Sequence, residues 1–393
     1  MKKTNLVAIA VFAACSAGSA LAVDFNGYAR AGTGISGNGD GDVSFMKQGV
    51  GRLGNENDNY YEFGFAEQLQ TGAQAWDLEA MLAKGDEGQV GWESDNAINV
   101  AQFYVKAKGL FASDPDAVLW AGKRYYQRKD VHITDFYFLN NSGTGGGIEN
   151  VSIGEQKLSL ALVQDGENDN ASGYIFDARL ANIGLWEDAN LELVAAYNFS
   201  TEKDEKDEVA DDGVFLTAIV HQNLDIGFNQ TVLQYGTGGY GDQLAGFGSG
   251  AWYPRGLDAN NDASGYRIIN WGVISLGDAW EVGHQLSYHH GSDLNNGMSD
   301  SNMYTVVVRP MYKWNDSMRT IMEAGYFSRE QDGVDDQGGH KFTLAQGWAM
   351  GNSFWARPEI RVYGSYITDE EGTTFGAKGD SDFVAGIQLE VWF

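Results

Sequence analysis

The chain has 393 residues, with 54 acidic against 26 basic side chains and a formal charge of −28. Such acidity argues against a nucleic-acid partner. A hydrophobic content of 43% with 13% aromatics argues against disorder, and 52 glycines with only four prolines suit strands and tight turns.

The chain starts with Lys2 and Lys3, an apolar stretch from Leu6 to Ala14, and the small-x-small site Ala20-Leu21-Ala22. This pattern predicts a secretory signal peptide over 1–22, removed before Val23. Its apolar core is too short for a membrane helix. Cys15, the only cysteine, lies within it, and Phe12 stands where a lipoprotein signal wants an aliphatic residue. The mature chain, 23–393, is then a single domain without disulfides or thiol chemistry.

From Val23 to Gly32 the residues alternate. Phe25, Gly27, Ala29 and Ala31 share one face of a strand; Asp24, Asn26, Tyr28 and Arg30 share the other. Gly37–Asp42 reads as a loop. In the next run Tyr61, Phe63 and Phe65 form an apolar face, which leaves Tyr60 and Glu62 on the polar one. Ala66–Glu87 imitates an amphipathic helix in places but is assigned to strand. Trp92 sits in polar loop composition, where an exposed indole needs a partner surface.

Leu119–Phe138 is the densest mixture of charge and rings, with Lys123, Arg124, Arg128 and Lys129 in a chain short of base. Asn140–Gly147 reads as a flexible glycine loop; it lacks the lysine and helix context of a phosphate loop. Ser200–Gly213 and Glu330–Gly339 are acidic and loop-like. These are solvated tips, or places where divalent cations bridge to lipopolysaccharide. Phe228 is in phase with Gln230 and Gln234. Trp355 is in phase with Arg357, Glu359, Arg361 and Tyr363, opposite Ile360 and Val362.

The C-terminal Ser381–Phe393 alternates most cleanly. Phe383, Ala385, Ile387, Leu389, Val391 and Phe393 are wholly apolar, whereas Asp382, Gln388, Glu390 and Trp392 fall on the other face. Export, Gly and Tyr richness and this alternation describe an outer-membrane barrel, apolar toward lipid and polar toward water. At roughly 20 residues per strand and turn the mature chain makes about 16 to 18 strands. That width leaves an aqueous channel.

Aromatic rings thus recur on the polar face beside Arg, Glu or Asp. In a watery lumen such rings lose the burial that rewards them, unless they fill space or serve as girdle residues. A sugar answers both features: its C–H face stacks on a ring and its hydroxyls bond charged groups. Enzyme chemistry has no comparable signal. The six histidines carry no zinc-type spacing, no Gly-x-Ser-x-Gly elbow occurs, and nothing asks for a metal or cofactor.

These residues resemble the maltoporin family, the trimeric sugar-specific porins of the bacterial outer membrane. The resemblance lies in Val23–Arg30, Arg52–Glu56, Trp120–His132, Arg309–Trp314, Trp355–Pro358 and Glu390–Phe393. It implies an 18-stranded antiparallel transmembrane β-barrel, three to an assembly, with a constriction loop folded into each channel. It also implies passive diffusion of maltose and linear maltodextrins along an aromatic slide. By position the slide is Tyr28, Tyr60, Phe228, Trp355 and Trp392, plus Trp92 lent by the neighbouring subunit. A polar track of Arg30, Arg52, Glu62, Arg128, Asp130 and Asp135 would flank it, with Tyr137 narrowing the channel.

Departures are few. Gly51 stands where the family has a tyrosine, a family arginine falls near Ala101, and the first external loop has no disulfide. Surface loops, which bacteriophages use on some relatives, vary too much to carry over. A sucrose-type or broader oligosaccharide porin ranks second, since those relatives replace charged and aromatic residues of the inward loop whereas Arg128, Asp130 and Tyr137 are retained. A general diffusion porin ranks third.

Overall fold

The computed structural model describes residues 23–37, 43–56, 58–86, 98–167, 171–202, 210–370, 374–375 and 379–393. Residues 1–22, expected to be a leader, residues 38–42 of the first loop, Trp92 and residues 203–209 of the acidic Ser200–Gly213 stretch lie outside the described residues. The first strands are β1 (Asp24–Ser36), β2 (Asn59–Thr71), β3 (Gln74–Asp86), β4 (Asn99–Lys108) and β5 (Val118–Arg124). An inward loop follows, with the short pair β6 (Lys129–Val131) and β7 (Phe136–Leu139). The wall continues with β8 (Gly143–Ile153), β9 (Gln156–Glu167), β10 (Ala171–Trp186), β11 (Ala189–Glu202), β12 (Gly213–Leu224) and β13 (Gly227–Thr237). It ends with β14 (Ser264–Leu276), β15 (Trp280–Asp293), β16 (Ser299–Lys313), β17 (Met318–Gln331), β18 (Gln337–Ala349), β19 (Glu359–Thr368) and β20 (Ser381–Trp392).

All strands but β6 and β7 join one antiparallel sheet of 18, and β20 pairs with β1 to close it. The alternation predicted at the C-terminus is the reason this wall is stable in lipid. Phe383, Ile387, Leu389 and Phe393 are 53%, 48%, 37% and 51% exposed, whereas Val384, Gln388 and Glu390 are 1% exposed or less. Buried charge inside and exposed aliphatics and rings outside invert a soluble protein, as a transmembrane barrel requires. None of the described helices is long and apolar enough to cross a membrane. Ala66–Glu87 is strand through Asp86, turning at Gly72, whose φ of 61° suits glycine.

One end of the barrel carries mostly short turns, such as 72–73 and 154–155; the other carries the long connections. By the rule for outer-membrane barrels the short turns are periplasmic and the long connections external.

Two loop expectations need correction. Gly143–Gly147 is not a flexible loop but the start of β8, paired with both β5 and β9. A Cβ on Gly145 would lie 2.0 Å from the Leu162 carbonyl oxygen, and one on Gly147 would lie 2.9 Å from Trp120 Nε1. The glycines therefore let neighbouring backbone and a buried indole approach. The acidic Glu330–Gly339 stretch is loop only at its centre, which holds Asp332, Asp335 and Asp336; its flanks are strand, because Arg329 pairs with Gln337 and Ser328 with Gly338. Only 332–336 remains as a turn.

Candidate functional site

The site forms where the loop after β1 and the inward loop between β5 and β8 meet β1, β2 and β20. The inward loop between β5 and β8 is fastened by its backbone. The Ile133 carbonyl accepts from Arg309 Nη2 at 2.9 Å, and the Phe138 carbonyl from Gln234 Nε2 at 2.8 Å and Arg267 Nη2 at 3.1 Å. Val131, Ile133, Phe136, Phe138 and Leu139 are buried beneath it, so its apolar face packs on the wall and its charged edge stays near the channel. The loop after β1 is fastened likewise. Leu53 N–H donates to Glu323 Oε1 at 2.9 Å, and Lys341 Nζ donates to the Leu53 carbonyl at 2.8 Å. Here Gly51 has φ of 96°, and a Cβ would lie 2.3 Å from Glu323 Oε1. Glycine at this position, a departure in the sequence comparison, is what the close approach demands.

Five of the six predicted rings, Trp92 lying outside the described residues, fall into one row. Tyr28 and Trp392 are direct partners across the closing seam, and Tyr28 and Tyr60 have ring centres 6.3 Å apart. His132, from the inward loop, bridges Trp392 at 5.6 Å and Trp355 at 5.1 Å. Trp355 lies 6.4 Å from Phe228, which meets Trp271 edge-on at 4.9 Å.

Trp355 reaches this row differently from the expectation. It was placed on a strand in phase with Arg357, but β19 begins only at Glu359. Pro358, which has no N–H for the ladder, precedes that strand, and Trp355 stands in the 350–358 turn. The turn is drawn inward by Arg319, whose Nη1 donates to the Ser353 carbonyl at 2.5 Å and Nη2 to that of Ala356 at 2.9 Å. Phe354 N–H donates to Glu281 Oε2 at 2.8 Å.

Charged groups run alongside. Arg30 donates from Nε and Nη2 to Asp58 at 2.9 and 2.7 Å, and pairs with Glu56 at 3.2 Å. Arg52 donates to Glu56 at 2.6 Å and to the Tyr28 hydroxyl at 2.7 Å, and lies 3.2 Å from Glu390. Lys47 joins Glu56 at 2.6 Å and Asp135 at 2.7 Å. Glu62 accepts the Tyr60 hydroxyl at 2.7 Å. On the inward loop Asp130 pairs with Tyr137 across β6 and β7. The Arg128 guanidinium is sandwiched between the rings of Tyr125 at 3.6 Å and Tyr137 at 4.5 Å. Burial, reinforced by the neighbouring Asp135, raises the Asp130 carboxyl above its ordinary range. Burial also opposes ionisation of Asp135, but Arg52 and Lys47 outweigh it and hold that carboxyl low.

The sequence reading did not single out Lys47, Asp58 or Trp271, named Glu56 and His132 only as ends of family-matching stretches, and placed Glu390 on the polar face without giving it a role. Parity marks Glu390 as inward. The others stand in loops or on strands whose facing cannot be judged without their long-range partners.

A closed 18-stranded wall, narrowed by an inward loop and lined with rings and charge, defines a channel-forming protein of the outer-membrane type. The chain belongs to the LamB porin family, whose model matches residues 23–393. A protein of Vibrio cholerae serotype O1 named maltoporin is 63% identical over 413 aligned residues, covering 100% of both chains. A maltoporin of Photobacterium profundum is 45% identical over 400 residues, covering 94% of each. Among solved structures, OccK2 (OpdF) of Pseudomonas aeruginosa superposes with a TM-score of 0.55 at 11% identity, over 95% of this chain and 98% of that one. The outer membrane protein OpdK of the same organism gives 0.54 at 10% identity, over 94% and 98%. At such identities these two structures speak for the fold alone.

Proposed function

We propose that this porin passes maltose and linear maltodextrins across the outer membrane by stacking them on the row Tyr60, Tyr28, Trp392, Trp355 and Phe228. One observation carries the reading: the ring row runs beside a row of charged groups, with Arg30, Arg52 and Asp135 in ion pairs and Glu62 accepting the Tyr60 hydroxyl. A linear glucan presents its apolar C–H faces to the rings while its hydroxyls exchange bonds with the charges. Arg128, Asp130 and Tyr137 act where the inward loop narrows the path. Several weak sites in series let the sugar leave as readily as it enters. The names of the relatives at 63% and 45% identity support maltose and its polymers as substrate.

The same reading has the chain exported by its 1–22 leader and assembled as a homotrimer, with Trp92 completing the row of a neighbouring subunit. The test is swelling of proteoliposomes in iso-osmotic sugars. Maltotriose and longer maltodextrins enter faster than sucrose polymers or raffinose of similar size; entry ranked by molecular size alone would contradict sugar selectivity.

A further inference from the structure

The connection between β13 and β14 holds a tryptophan in an unusual way. Trp252 is 76% exposed, while its neighbours Ala251 and Tyr253 are each 6% exposed. Its φ is 62°, in the left-handed region that bulky L side chains avoid. The backbone is clamped on both sides. Asp165 accepts the N–H of Trp252 at 2.7 Å on one oxygen and that of Tyr253 at 2.9 Å on the other. Ala251 N–H donates to the Asn140 carbonyl at 2.9 Å, and Asn140 N–H to that of Ser249 at 2.7 Å.

These partners locate the segment. Asp165 shares its strand face with the buried Ala161 and Val163, so it points into the lumen, and Asn140 belongs to the inward loop. The connection itself lies at the end with the long loops. The exposed indole therefore belongs to a segment anchored on lumen-side groups at the outer end of the barrel. Strain sustained at a solvent-facing residue by surrounding bonds points to use rather than packing.

We propose that Trp252 is a sugar-capturing ring of the outer vestibule, stacking on one pyranose of an incoming linear oligosaccharide before its leading end reaches the constriction. The proposal rests on the sugar-porin reading. A protein partner would want a contiguous apolar patch, whereas the residues on both sides of Trp252 are buried and one flat ring fits one sugar. Because its segment is anchored on groups other than those that hold the row, it acts on chains long enough to reach both and not on a disaccharide.

The test is block of single channels in planar bilayers, with sugar added on the side of the long loops. Trp252→Gly is the informative variant, since glycine accepts the observed φ and leaves the clamp unstrained. It is expected to lower the association rate of maltohexaose about threefold to tenfold, the scale of one lost stacking contact. Maltose affinity and open conductance stay at the parent's values, and Trp252→Phe restores most of the rate. A maltohexaose association rate in Trp252→Gly equal to the parent's overturns the proposal. A parent channel that maltohexaose fails to block overturns the sugar-porin reading itself, which separates the two failures.

Discussion

Tyr28 and Trp392 face each other across the pair of strands that closes the barrel, one on the first strand and the other on the last. Closure and ring row are thus built by the same contact. Removing Trp392 takes away a ring without cutting a ladder hydrogen bond. Trp392→Ala should weaken maltodextrin binding by about threefold to tenfold, the scale of one aromatic contact, while heat-resistant migration of the folded barrel is retained. Affinity equal to the parent's, measured by current block, would remove Trp392 from the row.

Glu390 holds several parts of the site together. Its Oε1 accepts from the Tyr28 hydroxyl at 3.1 Å and lies 3.2 Å from Arg52, and its Oε2 accepts from Arg357 Nε and Nη2 at 2.9 and 2.7 Å. Arg357 in turn lies over the Trp392 ring at 4.4 Å and donates to the Phe354 and Ala356 carbonyls flanking Trp355. Breaking a buried pair of this kind costs on the order of 3 kcal/mol. Glu390→Gln should therefore lower the unfolding temperature and reduce sugar affinity more than Trp392→Ala does, because two rings lose their supports together. Arg361→Gln, which removes another partner of Glu390 but supports neither ring, separates the effects: it lowers stability and leaves sugar affinity near that of the parent.

Gly51→Ala places a methyl group where the Glu323 carboxylate lies, at a φ that alanine resists. The expected cost is about 1–3 kcal/mol, borne by segment 43–56 rather than by the wall. Limited proteolysis should cut this segment faster in the variant, and sugar affinity should fall because Arg52 moves with it. Unchanged proteolysis would mean that the segment tolerates the substitution.

Asp130 supplies a pH dependence. Its raised pKa means that on acidification it takes up a proton before an ordinary aspartate, whose pKa is about 3.9. Its ionised form, the better acceptor for sugar hydroxyls, is lost as pH falls through that raised value. On acidification sugar affinity should accordingly begin to weaken above the range where free aspartate titrates, and Asp130→Asn should lack that step. Asp135, held low by Arg52 and Lys47, stays ionised across the same window. An identical pH profile in Asp130→Asn and parent would assign the step to another group.

What was legible in the sequence was what alternation carries. The inward facing of Tyr28, Tyr60, Phe228, Glu390 and Trp392 followed from strand parity; length bounded the strand number at about 16 to 18, and the family resemblance implied 18. Trp355 was read as inward through a strand that is absent there; its position comes from Arg319 and Glu281, distant in sequence, drawing a turn into the lumen. The glycines of β8 looked like a loop because the indole they accommodate, that of Trp120, belongs to another strand. Lys47, Glu56 and His132 were given no role for the same reason. They lie on loops, where no period reports facing, and their partners are fixed only when those loops fold against the wall.

The most direct test is current through the purified protein in a planar bilayer during addition of maltohexaose, with sucrose in a parallel run. The ring row and its flanking charges predict saturable block by maltohexaose at far lower concentration than by sucrose. Conductance indifferent to both sugars would contradict this account and leave a general diffusion porin whose rings only fill the lumen.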